Sequence, residues 1–216
     1  MLNFVMEMLL HFPHKCGDAI MKFLYGKRMG TSKELRIYYR KKYKVDIGQY
    51  SYGGCFDSSF NQGGSVAIGR YCSIANNVHY FGANHPLNTV STSAYFYNKT
   101  LSGQDVKDVS RNKLTIGNDV WIGYGTIITC GCKSIGTGSV IGAGSVVTHD
   151  IPENVIAAGN PAKVIRCRHT KEQFEQLYKT QWWDKEFEYI MQFYDHMDNI
   201  EVLCKKILQE KEKRHE

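Results

Sequence analysis

The chain has 216 residues, of which 43% are hydrophobic and 22% are charged. This length and composition fit one folded domain with additional helices and exclude both a pair of ordinary domains and a disordered chain. A net charge of +6 could attract phosphate-bearing ligands or an anionic membrane surface. Many soluble domains carry as much charge, however, and we expect no nucleic-acid partner.

The cysteines and the N-terminal residues indicate the cellular compartment of the protein. The seven cysteines are odd in number and lack the short, regular spacing of a disulfide framework, which favours a reduced cytoplasmic protein. The first ten residues lack a basic segment and contain Glu7, so they make a poor signal peptide. No apolar run is long enough to span a bilayer. We therefore expect a cytoplasmic location.

Residues 1–44 are predicted to form a helical segment. One or two amphipathic helices are followed by a basic and aromatic run at 36–43. We expect the helices to pack over the end of the fold and to block its sheet edges. Because lysines lie nearby, a helix on a membrane surface is the alternative, which we consider less favoured. The apolar residues expected to pack are Phe4, Met8, Leu9, Ile20, Phe23 and Leu24.

Aliphatic residues then recur every six positions, most of them followed by glycine. A period of six is a multiple of two, so every aliphatic residue can point to the same side of a strand, whereas on a helix these positions would move around the surface. Short strands of this kind bury their apolar faces only when successive coils stack. The pattern predicts a mainly β chain with a parallel β-helix over 45–168. The repeating residues are Ile68, Ile74, Ile116, Ile122, Ile128, Ile135, Ile141 and Val147.

The repeat is interrupted twice. The step from Ile128 to Ile135 is seven residues, so one residue must bulge out, as an insertion in a strand does. Between 81 and 115 the repeat is replaced by polar and aromatic residues, which predicts an excursion loop, and we expect function there. Residues 169–216 are again predicted to be helical, with apolar stripes that cap the coil.

Five segments, which fall in register over roughly 45–190, resemble one family. The sequence resembles the hexapeptide-repeat acyltransferases, in particular the xenobiotic acetyltransferases and the related sugar O-acetyltransferases. The resemblance implies a left-handed coil and a homotrimer whose active sites lie in clefts between subunits. The segments are 119–123, 140–148, 157–166, Asn84-His85-Pro86-Leu87 with Ser91-Thr92, and Trp182-Trp183-Asp184.

Acetyl transfer requires a base that takes the proton of the acceptor, and a neutral imidazole suits this task near pH 7. Of the eight histidines, His85 lies at the start of the excursion and matches the catalytic histidine of the family. We predict that it is the general base. His79, six residues earlier, contacts the acceptor or is an ordinary turn histidine. The acceptor-binding residues are predicted to be His79, Asn84, Tyr95 and Phe96.

By resemblance, acetyl-CoA is the acyl donor and its arm runs in an extended groove. The resemblance places Lys163 and Arg166 near the CoA phosphates. The alternative is that the glycines serve only turn geometry and that Lys163 and Arg166 are solvent-exposed residues of the closing strand. The donor-binding residues implied are Trp121, Tyr124, Gly142, Ala143, Thr148, His149, Lys163 and Arg166.

The acceptor favoured by the sequence is a saccharide hydroxyl, and chloramphenicol or a streptogramin is the alternative. A γ-carbonic-anhydrase-like enzyme needs three histidines around zinc, and the coils offer only His79, His85 and His149, so no metal is expected. A non-enzymatic β-helix scaffold is a further alternative. A sugar nucleotidyltransferase is disfavoured because no glycine-rich nucleotide-binding unit precedes the coil.

Overall fold

A computed structural model describes the backbone of residues 2–213 and the side chains of 6–13 and 16–210. Within this range the chain begins with helices, continues as a coil of short strands and ends with helices. The helices are α1 (Leu2–Leu10), α2 (His14–Tyr25), α3 (Lys33–Tyr43), α4 (Lys99–Ser102), α5 (Lys171–Thr180), α6 (Phe187–Met191) and α7 (Ile200–Lys213). The strands are β1 (Val45–Ile47), β2 (Tyr52–Gly53), β3 (Ser65–Ile68), β4 (Ser73–Ile74), β5 (His79–Tyr80), β6 (Lys113–Ile116), β7 (Trp121–Ile122), β8 (Ile127–Ile128), β9 (Ser134–Ile135), β10 (Val140–Ile141), β11 (Val146–Val147), β12 (Val155–Gly159) and β13 (Ala162–Cys167).

The strands form three parallel sheets, and the chain visits them in turn. We call them the first face (β1-β3-β6-β9), the second face (β2-β4-β7-β10-β12-β13) and the third face (β5-β8-β11). Every pair is parallel except β12 with β13, where the chain turns back and closes the second face. This is the predicted parallel β-helix. The handedness of the coil stays a prediction.

The six-residue repeat builds the core. Ile122 lies in register with Ile74 on one side and Ile141 on the other, so aliphatic residues stack from coil to coil. The repeating residues from Ile116 to Val147 are at most 1% exposed. The small residues of the repeat are buried at the turns, where the Thr126 hydroxyl donates to the Gly123 carbonyl at 2.8 Å. A period of six therefore selects the inward side chains, as the sequence predicted.

Three corners join the faces. The first corner joins the first and second faces at 48–51, 69–72, 117–120 and 136–139. The second corner joins the second and third faces at 75–78, 123–126 and 142–145. The third corner joins the third face to the first at 61–64, 81–112, 129–133 and 148–150.

The extra residue between Ile128 and Ile135 lies in a turn of the third corner and not in a strand, contrary to expectation. The amide of Cys132 donates to the carbonyl of Thr129 at 3.0 Å, which closes the turn. The carboxylate of Asp150, in the next coil, accepts hydrogen bonds from the amides of Lys133 and Ser134 at 2.6 and 3.0 Å. The carboxylate of Asp150 therefore stabilises the turn at 129–133 that contains the extra residue, which we call the slipped turn.

The N-terminal segment contains three helices, where one or two were expected. The basic and aromatic run at 36–43 lies in α3, which buries Tyr38 and Tyr39 and packs beside β1. Leu9 packs as predicted, at 1% exposure. The packing prediction is wrong for four others, and the side chain of Phe4 lies outside those described. The exposed residues are Met8, Ile20, Phe23 and Leu24.

The C-terminal segment runs along the first corner, where capping of the coil end was expected. Arg168 forms an ion pair with Asp119 at 2.8 Å. Further along, the carbonyl of Lys185 accepts the hydroxyl of Tyr71 at 3.2 Å, and the ring of Trp182 packs on Tyr71 at 4.9 Å between centroids. In the part of the chain described, no helix is long and apolar enough to cross a bilayer.

Candidate active site

The excursion leaves and rejoins the coil at one point of the third corner. The amide of Asn112 donates to the carbonyl of Gly82 at 2.7 Å, which closes the loop at its base. A Cβ at Gly82 would lie 1.8 Å from the carbonyl oxygen of Gly63, so only glycine fits there. The Asn112 side chain also donates to the carbonyl of Cys130 at 2.8 Å. The loop base is therefore joined to the turn that holds the extra residue.

The loop is three residues shorter than predicted, because Lys113–Thr115 belong to β6. Its interior is ordered by side chains that bond to nearby backbone. Ser93 accepts the amide of Tyr95, and Asn98 accepts the amide of Leu101 at 3.1 Å and begins α4. Short polar residues of this kind stabilise turns without a hydrophobic core. The loop thus presents its aromatic side chains from a bonded framework.

His85 has two partners at one ring nitrogen. Nδ1 lies 2.7 Å from the carbonyl oxygen of Thr92 and 2.6 Å from the hydroxyl of Tyr97. Because a carbonyl only accepts, Nδ1 carries the hydrogen and donates it, which leaves Nε2 as the acceptor of the neutral ring. Within the described residues Nε2 has no hydrogen bond, and the residue is exposed. This tautomer suits a general base.

The partners of His85 were not predicted. Thr92 acts through its backbone carbonyl, which every residue has, so the sequence does not reveal this contact. Tyr97 is one of several aromatic residues in the loop. The ring of Tyr97 meets that of His85 edge-on, with centroids 5.8 Å apart. Such a contact depends on how the loop folds back, which spacing alone does not reveal.

The other predicted acceptor residues are distributed around the loop and its base. His79 is half-buried on β5, and its Nδ1 lies 2.9 Å from the carbonyl oxygen of Ser59. Asn84 is exposed next to His85. Tyr95 and Phe96 are 62% and 70% exposed, and neither ring packs on another aromatic ring in the described structure. They are free to contact a ligand.

Four of the predicted donor-binding residues lie together on the second face and second corner. Trp121 is exposed on β7, and the carbonyl of Tyr124 accepts the amide of Gly144 at 2.8 Å, which stacks two coils. Gly142 and Ala143 lie in the same corner. A Cβ at Gly123 would lie 2.5 Å from the amide nitrogen of Ala143, so the coils approach closely there.

The remaining four lie at the third corner and on the edge strand of the second face. Thr148 and His149 are at the third corner, where the Thr148 hydroxyl lies 2.9 Å from Nδ1 of His149. A Cβ at Gly131 would lie 2.3 Å from the carbonyl oxygen of Thr148, so this pair adjoins the slipped turn. Lys163 and Arg166 are exposed on β13. Because β13 is the edge strand of the second face, the third face separates only Thr148 and His149 from the other predicted residues within one chain.

The outer surfaces of the faces differ in polarity. On the third face, register aligns His79, Ile127 and Val146, and Ile127 is 38% exposed. The first face presents polar or small side chains instead. Its outward residues are Asp46, Ala67, Thr115 and Ser134.

The buried thiols do not provide a nucleophile. Burial, with a smaller effect of Asp150, raises the pKa of Cys132 to about 12, and burial also raises the pKa of Cys72 to about 12. Thiols with such pKa values are neutral near pH 7 and unreactive. Among the described residues, no three His, Cys, Asp or Glu side chains are grouped so as to hold a metal ion.

No protein-family model matches the chain. The chloramphenicol acetyltransferase of Klebsiella aerogenes is 33% identical over an alignment of 170 residues, and the match covers 69% of this chain and 80% of that enzyme. A probable macrolide acetyltransferase of Lysinibacillus sphaericus is 36% identical over 149 residues, 65% of this chain and 78% of the other. The galactoside O-acetyltransferase of Escherichia coli K12 is 37% identical over 130 residues, 60% of this chain and 57% of the other.

The chain belongs to the hexapeptide-repeat acetyltransferases and is an acyltransferase. The resemblance stated from its motifs is confirmed. Its relatives include enzymes that act on antibiotics and enzymes that act on sugars.

Proposed function

We propose that the enzyme transfers an acetyl group from acetyl-CoA to a hydroxyl of a saccharide, with His85 as general base. The observation that carries this proposal is the contact between Nδ1 of His85 and the carbonyl of Thr92, which leaves Nε2 free to accept a proton. A base of this kind accelerates acyl transfer by roughly two to four orders of magnitude.

The chemistry follows from the tautomer. Nε2 of His85 removes the proton of the acceptor hydroxyl while the hydroxyl oxygen attacks the thioester carbonyl. The tetrahedral oxyanion collapses and expels the CoA thiolate, which takes up the proton that His85 holds, so the products are an acetyl ester and free CoA. The hydrogen bond from Nδ1 to Thr92 holds the ring in place and stabilises the transient imidazolium.

A homotrimer would complete the donor site. In one chain Tyr124 and Ala143 are separated from Thr148 and His149 by the third face. If the apolar outer surface of this face, including Ile127, is buried between subunits, the second corner of one subunit meets the third corner of its neighbour. A groove between subunits then holds the CoA arm, and Lys163 and Arg166 provide cations for its phosphates.

A saccharide acceptor is supported by the chemistry of the loop. Asn84 offers an amide next to the base, and exposed Tyr95 and Phe96 offer ring faces on which a sugar can pack. A galactoside O-acetyltransferase is among the relatives. All seven cysteines are free, which supports a reducing compartment such as the cytoplasm.

An antibiotic hydroxyl is the second candidate. The observation that favours it is the extent of the similarity to chloramphenicol acetyltransferase, which covers 80% of the Klebsiella enzyme. Leu87 and Val90 also expose apolar surface on the same loop, at 80% and 109%. A bulky apolar acceptor such as chloramphenicol or a streptogramin would bury these side chains.

The two candidates are separated by the release of CoA thiol from acetyl-CoA with a panel of saccharides, amino sugars, chloramphenicol, streptogramins and macrolides. Mass spectrometry and NMR of the product then locate the new acetyl group. We expect the highest kcat/KM with a saccharide acceptor, and we expect the product to be an ester. A higher kcat/KM with an antibiotic would establish the second candidate in its place, and an amide product would exclude O-acetylation.

A further inference from the structure

Helix α2 carries apolar side chains on both of its faces. Its inner face packs Met21 into the core, at 2% exposure. Residues three and four positions apart share a side of a helix, and a surface helix normally presents polar residues opposite the core. In α2 that outer side is apolar, and Phe23 is 86% exposed. The outer face of α2 consists of the exposed residues Cys16, Ala19, Ile20, Phe23 and Leu24.

The surroundings of this outer face are basic. Lys22, Lys27 and Arg28 are exposed, and none of them forms an ion pair with another described residue. From residue 8 to residue 31 the sequence contains a single acidic residue, Asp18. Asp18 is buried on the inner side, where it accepts the hydroxyl of Tyr38 at 3.0 Å. The apolar side chains are thus bordered by Lys27 and Arg28, which have no acidic partner among the described residues, and by Lys22, which interacts with Asp57 without forming an ion pair.

We infer that the outer face of α2 docks on a membrane surface that contains anionic lipid headgroups. A helix lying in the interface buries its apolar side chains at the headgroup boundary, while lysine and arginine beside it contact anionic headgroups. Met8 and Phe12, which are 45% and 40% exposed, add apolar surface in the same segment. This is peripheral binding, which needs no spanning helix.

Charge makes a second copy of the chain a poorer occupant. A two-fold contact through the outer face of α2 would bring the same residues of both copies together, so that the cations at 22, 27 and 28 would face one another. Anionic lipid complements these cations instead. Membrane binding would bring the catalytic coil to acceptors held at the bilayer surface.

The test is flotation of the purified full-length chain with two kinds of vesicle, phosphatidylcholine alone and phosphatidylcholine with phosphatidylglycerol. Two double variants are compared with the wild type, Phe23→Ser/Leu24→Ser and Lys27→Gln/Arg28→Gln. The matched control is Tyr194→Ser, which removes an aromatic side chain that is 63% exposed on the C-terminal segment. Circular dichroism verifies that each variant is folded.

The wild type and the control are expected to float with phosphatidylglycerol vesicles and to be released by salt. Removal of the two cations should lower partitioning about fivefold for each cation, and removal of the two apolar side chains at least about tenfold. A wild type that stays in the unbound fraction, or variants that bind as well as it does, would overturn the inference. So would sedimentation of the wild type as a larger assembly than Phe23→Ser/Leu24→Ser, because a second copy would then cover the face.

Discussion

The hydroxyl oxygen of Tyr97 lies 2.6 Å from Nδ1 of His85. Because Thr92 already fixes the hydrogen on Nδ1, the hydroxyl of Tyr97 is a second acceptor that helps hold the ring and the transient imidazolium. The Tyr97→Phe variant keeps the edge-on ring contact and removes only this oxygen. A hydrogen bond of this kind contributes about 1 kcal/mol, so kcat should fall roughly threefold to tenfold while KM for acetyl-CoA changes little.

Steady-state kinetics of Tyr97→Phe and of Tyr194→Phe provide the comparison. Tyr194 is exposed on the C-terminal segment and loses its hydroxyl without an effect on the loop. If kcat of Tyr97→Phe equals that of Tyr194→Phe, the hydroxyl of Tyr97 has no part in positioning His85.

Lys163 is predicted to bind a phosphate of CoA. It is exposed on β13 and forms no ion pair with another described residue. Lys163→Ala should raise KM for acetyl-CoA roughly tenfold at low salt, and the difference from wild type should shrink near 1 M salt, where the Debye length falls to about 3 Å. Lys205→Ala, an exposed lysine on α7, is the control. An unchanged KM at every salt concentration would refute the phosphate contact.

Asp150 should stabilise the slipped turn only when it is ionised. Its hydrogen bond from the amide of Lys133, together with the one from Ser134, lowers the pKa of Asp150 in the folded state. A lowered pKa stabilises the fold above the unfolded value of about 3.9, and this contribution is lost as pH falls through the folded value.

Replacement of this carboxylate should therefore act in a pH-dependent way. Asp150→Asn should lower the free energy of unfolding by about 1 kcal/mol near pH 7, because solvent weakens bonds to an exposed carboxylate. Denaturant titrations at several pH values measure the difference from wild type, which should shrink progressively below about pH 4. Asp195→Asn, in an exposed position, is the control. A difference that persists at low pH would show that the charge of Asp150 is not responsible.

Arg168 holds the C-terminal segment to the first corner. Burial raises the pKa of Asp119, and the ion pair with Arg168 opposes this effect. Arg168→Met removes the cation and leaves the carboxylate in a site where its side chain is 29% exposed. The expected loss in the free energy of unfolding is about 2 kcal/mol, below the roughly 3–5 kcal/mol of a fully buried pair because solvent reaches this one.

Arg166→Met is the matched control for stability. Arg166 is exposed on β13, two residues before Arg168, and among the described residues its guanidinium bonds to the carbonyl of Cys167, at 2.9 Å. Denaturant unfolding of both variants should separate them by about 2 kcal/mol. Equal stability of the two variants would mean that the pair with Asp119 does not anchor the segment.

The sequence predicted the coil because one physical feature determines it. Inward side chains of a strand alternate with a fixed period, so the spacing of Ile116, Ile122 and Ile128 is enough to identify them as core residues. The end of the excursion was misplaced because Lys113 and Thr115 point outward from β6, so half of that strand is polar and resembles a loop. A period also leaves undetermined which corner each turn belongs to.

Contacts distant in sequence account for the remaining differences. Nothing local joins Asp119 to Arg168, and this contact places the C-terminal segment along a corner. Helix α3 was overlooked because its run of charges and tyrosines resembles a solvated surface. Its tyrosines are buried because their hydroxyls find acceptors elsewhere, on Asp18 for Tyr38 and on the carbonyl of Phe56 for Tyr39. The same reasoning applies to His85, whose type indicated a base while its partners depended on the folded loop.

The central claim is that His85 is the general base, and its most direct test is the turnover of His85→Ala. Release of CoA thiol is measured with the best acceptor of the panel, and thermal unfolding verifies that the variant is as stable as the wild type. We predict that kcat of His85→Ala falls by roughly two to four orders of magnitude with KM for acetyl-CoA nearly unchanged, whereas His196→Ala stays at the wild-type rate. A folded His85→Ala enzyme that turns over within about a factor of two of wild type would contradict this claim.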